Sequence, residues 1–210
     1  FNKGLICSSR PFAHLRYKIP IQGKETARVG LSNQLKMLNI NVDLSVNYDW
    51  LKVNIKNVIT QSIALIIPGV SKGNEYKQWQ PEKFAEIAQF CESKNLRICI
   101  VGTKSDLLSA KKIILKCKNV LNKIDFSPPE VIYSIALKSS LIFSNDTGPG
   151  HIASLSNNHM IWILNDNSIS GANISDNTTN HKILANSVKS ISSKEVIQYI
   201  EKNKLLNFYN

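Results

Sequence analysis

The sequence predicts an α/β protein whose main domain is a doubly wound parallel sheet. From about residue 62 onward, apolar segments of strand length alternate with segments whose apolar residues have helical spacing. Glycine, proline, serine or asparagine separates most of these segments, as is typical of turns. Strands that alternate with helices pair in parallel, because each helix returns the chain to the edge of the sheet where the next strand begins. We therefore expect one such domain over about residues 60–205.

The predicted elements follow one another in regular order. Ile63–Ile67 is a continuous apolar run that ends at Pro68-Gly69, which is typical of a strand buried on both faces. Pro81 begins a helix at the position where the missing N–H of proline costs nothing. The other predicted strands are Leu96–Val101, Asn119–Leu121, Leu141–Phe143 and Met160–Leu164, and the other predicted helices are Ser105–Lys116, Pro129–Leu137, Gly150–Leu155 and Lys194–Asn203.

Two predicted segments are distinguished by their polar residues. The predicted helix Ser105–Lys116 carries the densest cluster of lysines, and we expect them to form a solvated face opposite the apolar side chains. The residues concerned are the lysines Lys111, Lys112 and Lys116, with Lys118 just beyond, and the apolar Leu107, Leu108, Ile113 and Leu115. Asn165–Asn180 is rich in Asn, Ser and Asp and is predicted to be a long loop, with His181 exposed beside it and His159 in a turn.

The first part of the chain does not have the pattern of such a domain. It offers a strand at Gly4–Ser8, a helix at Glu25–Leu38 and a strand at Val42–Val46, which is too little for a core of its own. We predict that residues 1–57 are the end of a preceding, incomplete domain with a linker at Asn47–Asn57, and that residues 58–210 are the main domain. A chain that begins at Phe1 is expected to be a processed or truncated product.

Composition narrows the class of protein. The chain has 210 residues, 43% of them apolar, and 26 Lys and Arg against 15 Asp and Glu, which gives a net charge of +11. This apolar fraction excludes a disordered chain, and the spread positive charge favours anionic ligands or an anionic membrane surface. No nucleic-acid-binding motif is present, so a basic nucleic-acid binder is the least favoured alternative. The spacing of the cysteines disfavours zinc and a disulfide framework and favours reduced thiols in the cytoplasm. They are Cys7, Cys91, Cys99 and Cys117.

Ligands of a doubly wound sheet bind beyond the carboxyl ends of its strands, and three predicted loops there carry suitable residues. The strongest is residues 145–151, NDTGPGH, at the start of a predicted helix. Its glycines, Gly148 and Gly150, would let a phosphate approach the main chain, while Asp146 would accept hydroxyl groups of a sugar. Thr147 offers a hydroxyl group and His151 a donor one turn later. The alternative is a simple helix cap in which the glycines serve only the turn.

The two other loops follow the first and second strands of the domain. The first contains Gly69 and Lys77, whose ammonium group is suited to a phosphate, and Trp79, which is predicted to pack. The second contains Gly102 and Asp106 and is expected to line the same crevice, although a glycine followed by a capping residue is also what any such turn needs.

Two segments resemble sequence elements of the heptosyltransferase family. Residues 77–84, KQWQPEKF, resemble its K-x-W-x-x-E-x-[FW] element, and residues 144–154 resemble its x-N-D-T-G-P-x-H-x-A element in the same order and separation. The resemblance covers about residues 58–165. It implies a Rossmann-like donor-binding domain of an inverting glycosyltransferase with the two-domain GT-B architecture. Such enzymes transfer a sugar from a nucleotide diphosphate to a lipopolysaccharide core or a similar acceptor.

The resemblance also implies roles for individual residues. Asp146 would hold hydroxyl groups of the donor sugar, the backbone of Thr147 and Gly148 would bind the diphosphate, and Lys77 would neutralise the leaving group. The donor-binding set that we predict is Gly69, Lys77, Gly102, Asp106, Asp146, Thr147, Gly148, Pro149, Gly150 and His151. We expect no metal and no cofactor besides the nucleotide sugar.

The sequence departs from the family pattern in two places. No residue within 1–57 matches the catalytic base, an aspartate of the amino-terminal domain, so no catalytic residue is assigned. After the His-x-Ala element, residues 155–159, LSNNH, replace a small-residue turn followed by a proline-containing strand. Two hypotheses follow: a cytoplasmic transferase at the face of the inner membrane, or a non-catalytic nucleotide-sugar-binding module of the same fold.

Overall fold

The computed structural model describes residues 4–18, 25–43, 46–55, 62–166, 174 and 178–206. The chain divides into two compact units, one formed by Phe1–Asn47 with Asn167–Ser175 and the other by Tyr48–Asp166 with Asp176–Asn210. The predicted boundary after residue 57 lies later than this division. Residues 48–55 belong to the second unit, where the backbone N–H of Val53 donates to Ser134 Oγ at 2.8 Å.

The described residues of the smaller unit form two short parallel strands and one helix. The strands are β1 (Cys7–Ser8) and β2 (Leu15–Arg16), and the helix is α1 (Ala27–Lys36). Thr26 caps α1 by accepting a hydrogen bond from the N–H of Val29. The predicted strand at Val42–Val46 is wrong for its described residues, since residues 42, 43 and 46 are outside any strand; residues 44–45 lie outside the described part.

The larger unit contains a six-stranded sheet in which every neighbouring pair is parallel. Its strands are β3 (Ile63–Ile67), β4 (Arg97–Gly102), β5 (Val120–Ile124), β6 (Ser139–Asn145), β7 (Met160–Asn165) and β8 (Asn180–Ala185). Their spatial order is β5-β4-β3-β6-β7-β8. The chain therefore builds outward from β3 on one side and from β6 on the other, which is the doubly wound, Rossmann-like arrangement. This result confirms the predicted fold class.

Helices connect the strands and form two layers. They are α2 (Pro81–Ser93), α3 (Leu107–Ile114), α4 (Pro129–Ala136), α5 (Gly148–Ser154) and α6 (Ser193–Lys202). α2 packs against α3 and α6, whereas α4 packs against α5. β3 is buried along its whole length, as its apolar sequence predicts. Trp79 and Trp162 are also fully buried, which confirms the packing role predicted for Trp79.

The structure corrects the predicted orientation of α3. The helix buries Ser109, Ala110 and Ile113, and it leaves Leu107 and Leu108 exposed on the same side as the lysines. The prediction that the lysines lie opposite the leucines is therefore wrong. Small side chains explain the difference, because Ser109 and Ala110 let α3 lie close to α2 and thereby fix which stripe is buried.

A strand that was not predicted, β8, begins at Asn180, the last residue of the predicted loop, and continues through residues to which no element was assigned. Its first residues continue the sheet beside β7, with His181 opposite Ile161. His181 is half-buried and hydrogen-bonds His159 at 3.0 Å and the Tyr199 hydroxyl at 3.2 Å, so it is not an exposed loop residue. Residues 167–173 and 175–177 of the predicted loop lie outside the described residues.

Candidate functional site

The order of the strands places a crevice beside the carboxyl ends of β3 and β6. These two strands are neighbours, yet the chain leaves them in opposite directions across the sheet. Connecting segments therefore diverge on either side, and a gap forms between them at the carboxyl edge. The loops after β3, β4 and β6 meet at this edge, as the sequence predicts. All three loops belong to the larger unit.

A cavity of about 290 Å³ lies where these three loops meet. It is lined by Ile67, Gly69, Val70, Ser71, Lys72, Gly102, Thr103, Ser105, Asp106, Thr147 and Pro149. Five of the predicted donor-binding residues are among them, namely Gly69, Gly102, Asp106, Thr147 and Pro149. The hydroxyl groups and the Lys72 ammonium group give the cavity several hydrogen-bond donors, which suit a polar or anionic ligand.

Two glycines of the cavity wall make room for a buried carboxylate. A Cβ atom on Gly69 would lie 2.3 Å from Asp106 Oδ1, and one on Gly102 would lie 2.6 Å from Asp106 Oδ2. Asp106 Oδ2 also accepts hydrogen bonds from the Thr103 N–H at 2.8 Å and the Thr103 hydroxyl at 3.1 Å. Asp106 thus holds the turn before α3 and fills the space between two loops. This contact accounts for the glycine at both positions.

A buried amide joins the loop after β3 to the end of β6. Asn145 is fully buried, and its Nδ2 donates to the Pro68 carbonyl oxygen at 2.9 Å. Its Oδ1 accepts from the backbone N–H of Trp79 at 3.0 Å. The indole of Trp79 in turn donates to the Ile191 carbonyl oxygen at 2.8 Å. Asn145 therefore fixes the backbone two residues after Lys77, a role that the sequence analysis did not identify.

Next to the cavity, Lys77 and His151 flank the carboxylate of Asp146. Lys77 Nζ lies 2.8 Å from Asp146 Oδ2, and His151 Nε2 lies 3.3 Å from Asp146 Oδ1. Both charged side chains of the lysine–aspartate pair are largely buried, with 17% and 13% of their surface exposed. The hydrogen bond from His151 and the pairing with Lys77 lower the pKa of Asp146 to about 2, against the opposing effect of burial.

The structure separates the roles of the two glycines at the start of α5. A Cβ atom on Gly148 would meet no atom within 4 Å, so the main chain there is open to a ligand. A Cβ atom on Gly150 would lie 2.4 Å from Ser144 Oγ and 2.9 Å from Trp162 Cζ3. Gly150 is buried and lets the helix pack against the sheet. Thr147 precedes the helix in an extended conformation, but its side chain makes no capping hydrogen bond.

Eight of the ten predicted residues form two adjacent groups, and the other two, Gly148 and Gly150, lie at the start of α5. Five residues line the cavity, and Lys77, Asp146 and His151 form an ionic cluster whose aspartate directly precedes the cavity residue Thr147. Four polar residues of the cavity wall were not among the predicted site residues, although their loops were: Ser71, Lys72, Thr103 and Ser105. Exposed lysine, serine and threonine are common in any loop, so position after a parallel strand was the one available signal.

Two kinds of feature are absent from the described residues. No group of three or more His, Cys, Asp or Glu side chains in those ranges is arranged to hold a metal ion. No helix in the part of the chain that the structure describes combines the length and apolar character needed to cross a membrane.

Comparison with known families and structures gives a consistent result. The family described as glycosyltransferase family 9 (heptosyltransferase) matches residues 27–164. A glycosyl transferase of family 9 from Veillonella parvula DSM 2008 aligns with a TM-score of 0.71, at 14% identity, over 95% of this chain and 65% of its own. The E. coli heptosyltransferase WaaC with ADP-2-deoxy-2-fluoro heptose aligns with a TM-score of 0.68, at 17% identity, over 91% of this chain and 60% of its own.

A third structure, the E. coli ADP-heptose lps heptosyltransferase II, aligns with a TM-score of 0.59 at 18% identity. It covers 70% of this chain, and the chain covers 46% of it. The chain thus spans between about half and two thirds of the length of these solved structures. No curated protein matches the chain in sequence.

Proposed function

The chain belongs to glycosyltransferase family 9, the heptosyltransferase family, and from this premise we propose that its larger unit binds the nucleotide diphosphate sugar from which a sugar is transferred. The donor that we propose first is an ADP-linked heptose or a similar sugar. The E. coli heptosyltransferase WaaC, which has the same fold, was solved with ADP-2-deoxy-2-fluoro heptose and with ADP. The acceptor that we propose is a lipopolysaccharide core or a related glycan.

The ionic cluster of Lys77, Asp146 and His151 is the observation that carries this proposal. A carboxylate with two oxygens has about four positions that accept hydrogen bonds, of which Lys77 and His151 use two. The remaining positions suit the hydroxyl groups of a sugar. A lysine with three N–H donors, one of them used by Asp146, has two left for phosphate oxygens. Sugar and phosphate recognition are therefore combined within a few ångströms.

The chemistry follows from these contacts. In the proposed reaction an acceptor hydroxyl oxygen bonds to the anomeric carbon while the bond from that carbon to the phosphate oxygen breaks, with inversion. Negative charge develops on the leaving diphosphate, where Lys77 stabilises it. The Gly148 main chain and the donors of the cavity, including Lys72, add further positive potential. The proton of the acceptor passes to a base that is not assigned among the residues of this chain.

The proposed acceptor is anchored in a membrane, so we also propose that the protein acts at the cytoplasmic face of the inner membrane. The net charge of +11 supports this location, because the lipids of that face are anionic.

Titration calorimetry with the full chain tests donor binding. We expect heat of binding with ADP-heptose and weaker binding with ADP alone, because the free nucleotide lacks the sugar hydroxyl groups that Asp146 would accept. UDP-linked and GDP-linked sugars serve as controls for the identity of the nucleotide base. Absence of binding with all of these ligands would contradict the proposal. Transfer to a lipopolysaccharide core acceptor is then measured with the same protein, since binding without transfer would favour a non-catalytic module.

A further inference from the structure

The outward face of α3 combines exposed leucines with lysines. Leu108 is 78% exposed and Leu115, one residue beyond the helix, is 75% exposed. These two leucines are seven residues apart and lie on the same side, with Lys111 and Lys112 between them. We define the α3 surface as Leu107, Leu108, Lys111, Lys112 and Leu115. All five residues are exposed.

Another exposed apolar residue lies near the amino end of α3. Phe126, in the loop after β5, is 74% exposed. The preceding Asp125 pairs with Lys104 at 3.4 Å, and Lys104 lies one turn before Leu108. Phe126 therefore lies near the start of the α3 surface. Large exposed apolar side chains grouped in this way are typical of an interaction site rather than of a simple solvated surface.

Lysines outnumber acidic residues around the α3 surface. The lysines of this region are Lys104, Lys111, Lys112, Lys116 and Lys118. Among residues 104–118 the one acidic side chain is Asp106, which is buried against the glycines of the cavity wall. From outside this segment, Glu82 pairs with Lys112, Asp125 pairs with Lys104, and the Glu92 carboxylate accepts hydrogen bonds from the N–H groups of Lys118 and Asn119. The positive charge of the surface therefore comes mainly from Lys111 and Lys116.

We infer that the α3 surface seats the protein on an anionic phospholipid membrane. Leucine and phenylalanine side chains would enter the boundary between head groups and acyl chains, while the lysines would contact lipid phosphates. A second copy of the chain is a poorer occupant, because docking through this surface would place lysines against lysines. The inference deepens the proposed function and rests on it for the membrane-anchored acceptor.

The position of α3 would place the membrane contact close to the donor cavity. Thr103, Ser105 and Asp106, which directly precede the helix, line the cavity. A helix of eight residues is about 12 Å long, so a membrane that contacts α3 lies close to the donor cavity. Seating on α3 would therefore hold the donor near the surface that carries the acceptor.

Vesicle co-sedimentation of the full chain tests the inference. The probe is phosphatidylcholine vesicles that contain about one third phosphatidylglycerol, compared with pure phosphatidylcholine. We expect binding to the anionic vesicles that weakens strongly in about 0.5 M salt, since added salt screens the lysines. Leu108→Gln with Leu115→Gln should lower binding about tenfold or more, and Lys111→Gln should lower it about fivefold.

Matched controls lie elsewhere on the same unit. Leu184→Gln on β8, where the leucine is 51% exposed, and Lys202→Gln on α6 should bind vesicles like the wild type. Equal loss in the controls, or full binding by the α3 variants, would overturn the inference. So would absence of vesicle binding by the wild type, or a dimer in light scattering that Leu108→Gln dissociates without vesicle binding.

Donor binding is measured in the same variants without vesicles. Leu108 and Leu115 are not cavity residues, so their variants should bind the donor like the wild type. Loss of vesicle binding with donor binding intact would therefore support the α3 surface. A wild type that binds vesicles but no donor would contradict the proposed function alone.

Discussion

In the parallel sheet of the larger unit, the carboxyl ends of the strands form one edge and the amino ends form the opposite edge. Each of these two edges carries a hydrogen-bonded histidine, but the surroundings of the two histidines differ. At the carboxyl edge, His151 contacts Asp146, which also pairs with Lys77. At the amino edge, His181 contacts His159 and the Tyr199 hydroxyl. Charges at the first edge stabilise one another beside a cavity, whereas burial and the neighbouring imidazole lower the pKa of His181 and favour its neutral form. A histidine in a polar cluster therefore indicates function only where its partners are charged and a ligand has room.

The largest expected effect is a loss of donor affinity when charged residues at the carboxyl edge are replaced. Asp146→Ala and Lys77→Ala should each weaken binding of an ADP-linked sugar about 10- to 100-fold, because each removes hydrogen bonds to a charged group. Calorimetry measures this change. The matched control is Asp125→Asn, which removes a charge from the exposed pair with Lys104 and should leave affinity unchanged. Unchanged affinity in both site variants would assign the pair to structure rather than to binding.

The two glycines at the start of α5, which lie at the carboxyl edge, should differ in how an added methyl group affects stability. Gly150→Ala should lower the free energy of unfolding by about 1–3 kcal/mol, because its Cβ would overlap Ser144 and Trp162. Gly148→Ala should change the free energy of unfolding by less than about 0.5 kcal/mol, since the space there is open.

Urea unfolding measures both free energies, and calorimetry then measures donor affinity for the stable variant. Gly148→Ala should weaken donor binding, because its methyl group would occupy the approach to the main chain. A stable variant with wild-type affinity would show that the diphosphate does not approach the backbone at this residue.

The smallest effect is a difference in how the two edges respond to pH. The pKa of Asp146 is lowered to about 2, so the stability that its pairing contributes is present above the ordinary value of 3.8 and is lost as pH falls toward 2. The pKa of His181 is also lowered, but for a histidine this means that the unfolded chain takes up the proton first. Stability should therefore decline as pH falls below about 6.5.

Unfolding free energies of the wild type, Asp146→Asn and His181→Asn across this pH range check both signs. His181→Asn should flatten the profile between neutral pH and pH 5, and Asp146→Asn should flatten it only below pH 4. A wild-type profile that is flat near pH 6 would contradict the role given to His181.

Much of the larger unit was predictable because its strands and helices have strong local patterns. The continuous apolar run of β3 and the proline that begins α2 led to both elements at the right positions. β8 was missed because Asn180–Ala185 mixes polar and apolar residues, and its strand conformation depends on pairing with β7. The prediction of which face of α3 is buried was wrong for a related reason. The buried face depends on how α3 packs against α2, and the sequence of α3 alone does not determine this packing.

The candidate site divides in the same way. Residues proposed to touch the donor, such as Asp146 and Gly148, stand out within a short motif because they are charged or conformationally special, and Lys77 stands out in the same way within its own segment. Asn145 belongs to the same motif, but its partners Pro68 and Trp79 are distant in sequence. Long-range hydrogen bonds of this kind are visible only in the folded chain. The sequence therefore predicted which residues would bind a ligand, but not what holds those residues in place.

The amide of Asn145 has a consequence for the entropy of binding. Its two hydrogen bonds fix Pro68 and Trp79, one on each side of the segment that carries Lys72 and Lys77. Both ends of this lysine-bearing segment are thus ordered before a donor arrives. A binding site that is already ordered loses less conformational entropy when the ligand binds. An uncharged, fully buried side chain would in this way raise the affinity for a charged ligand that it never contacts.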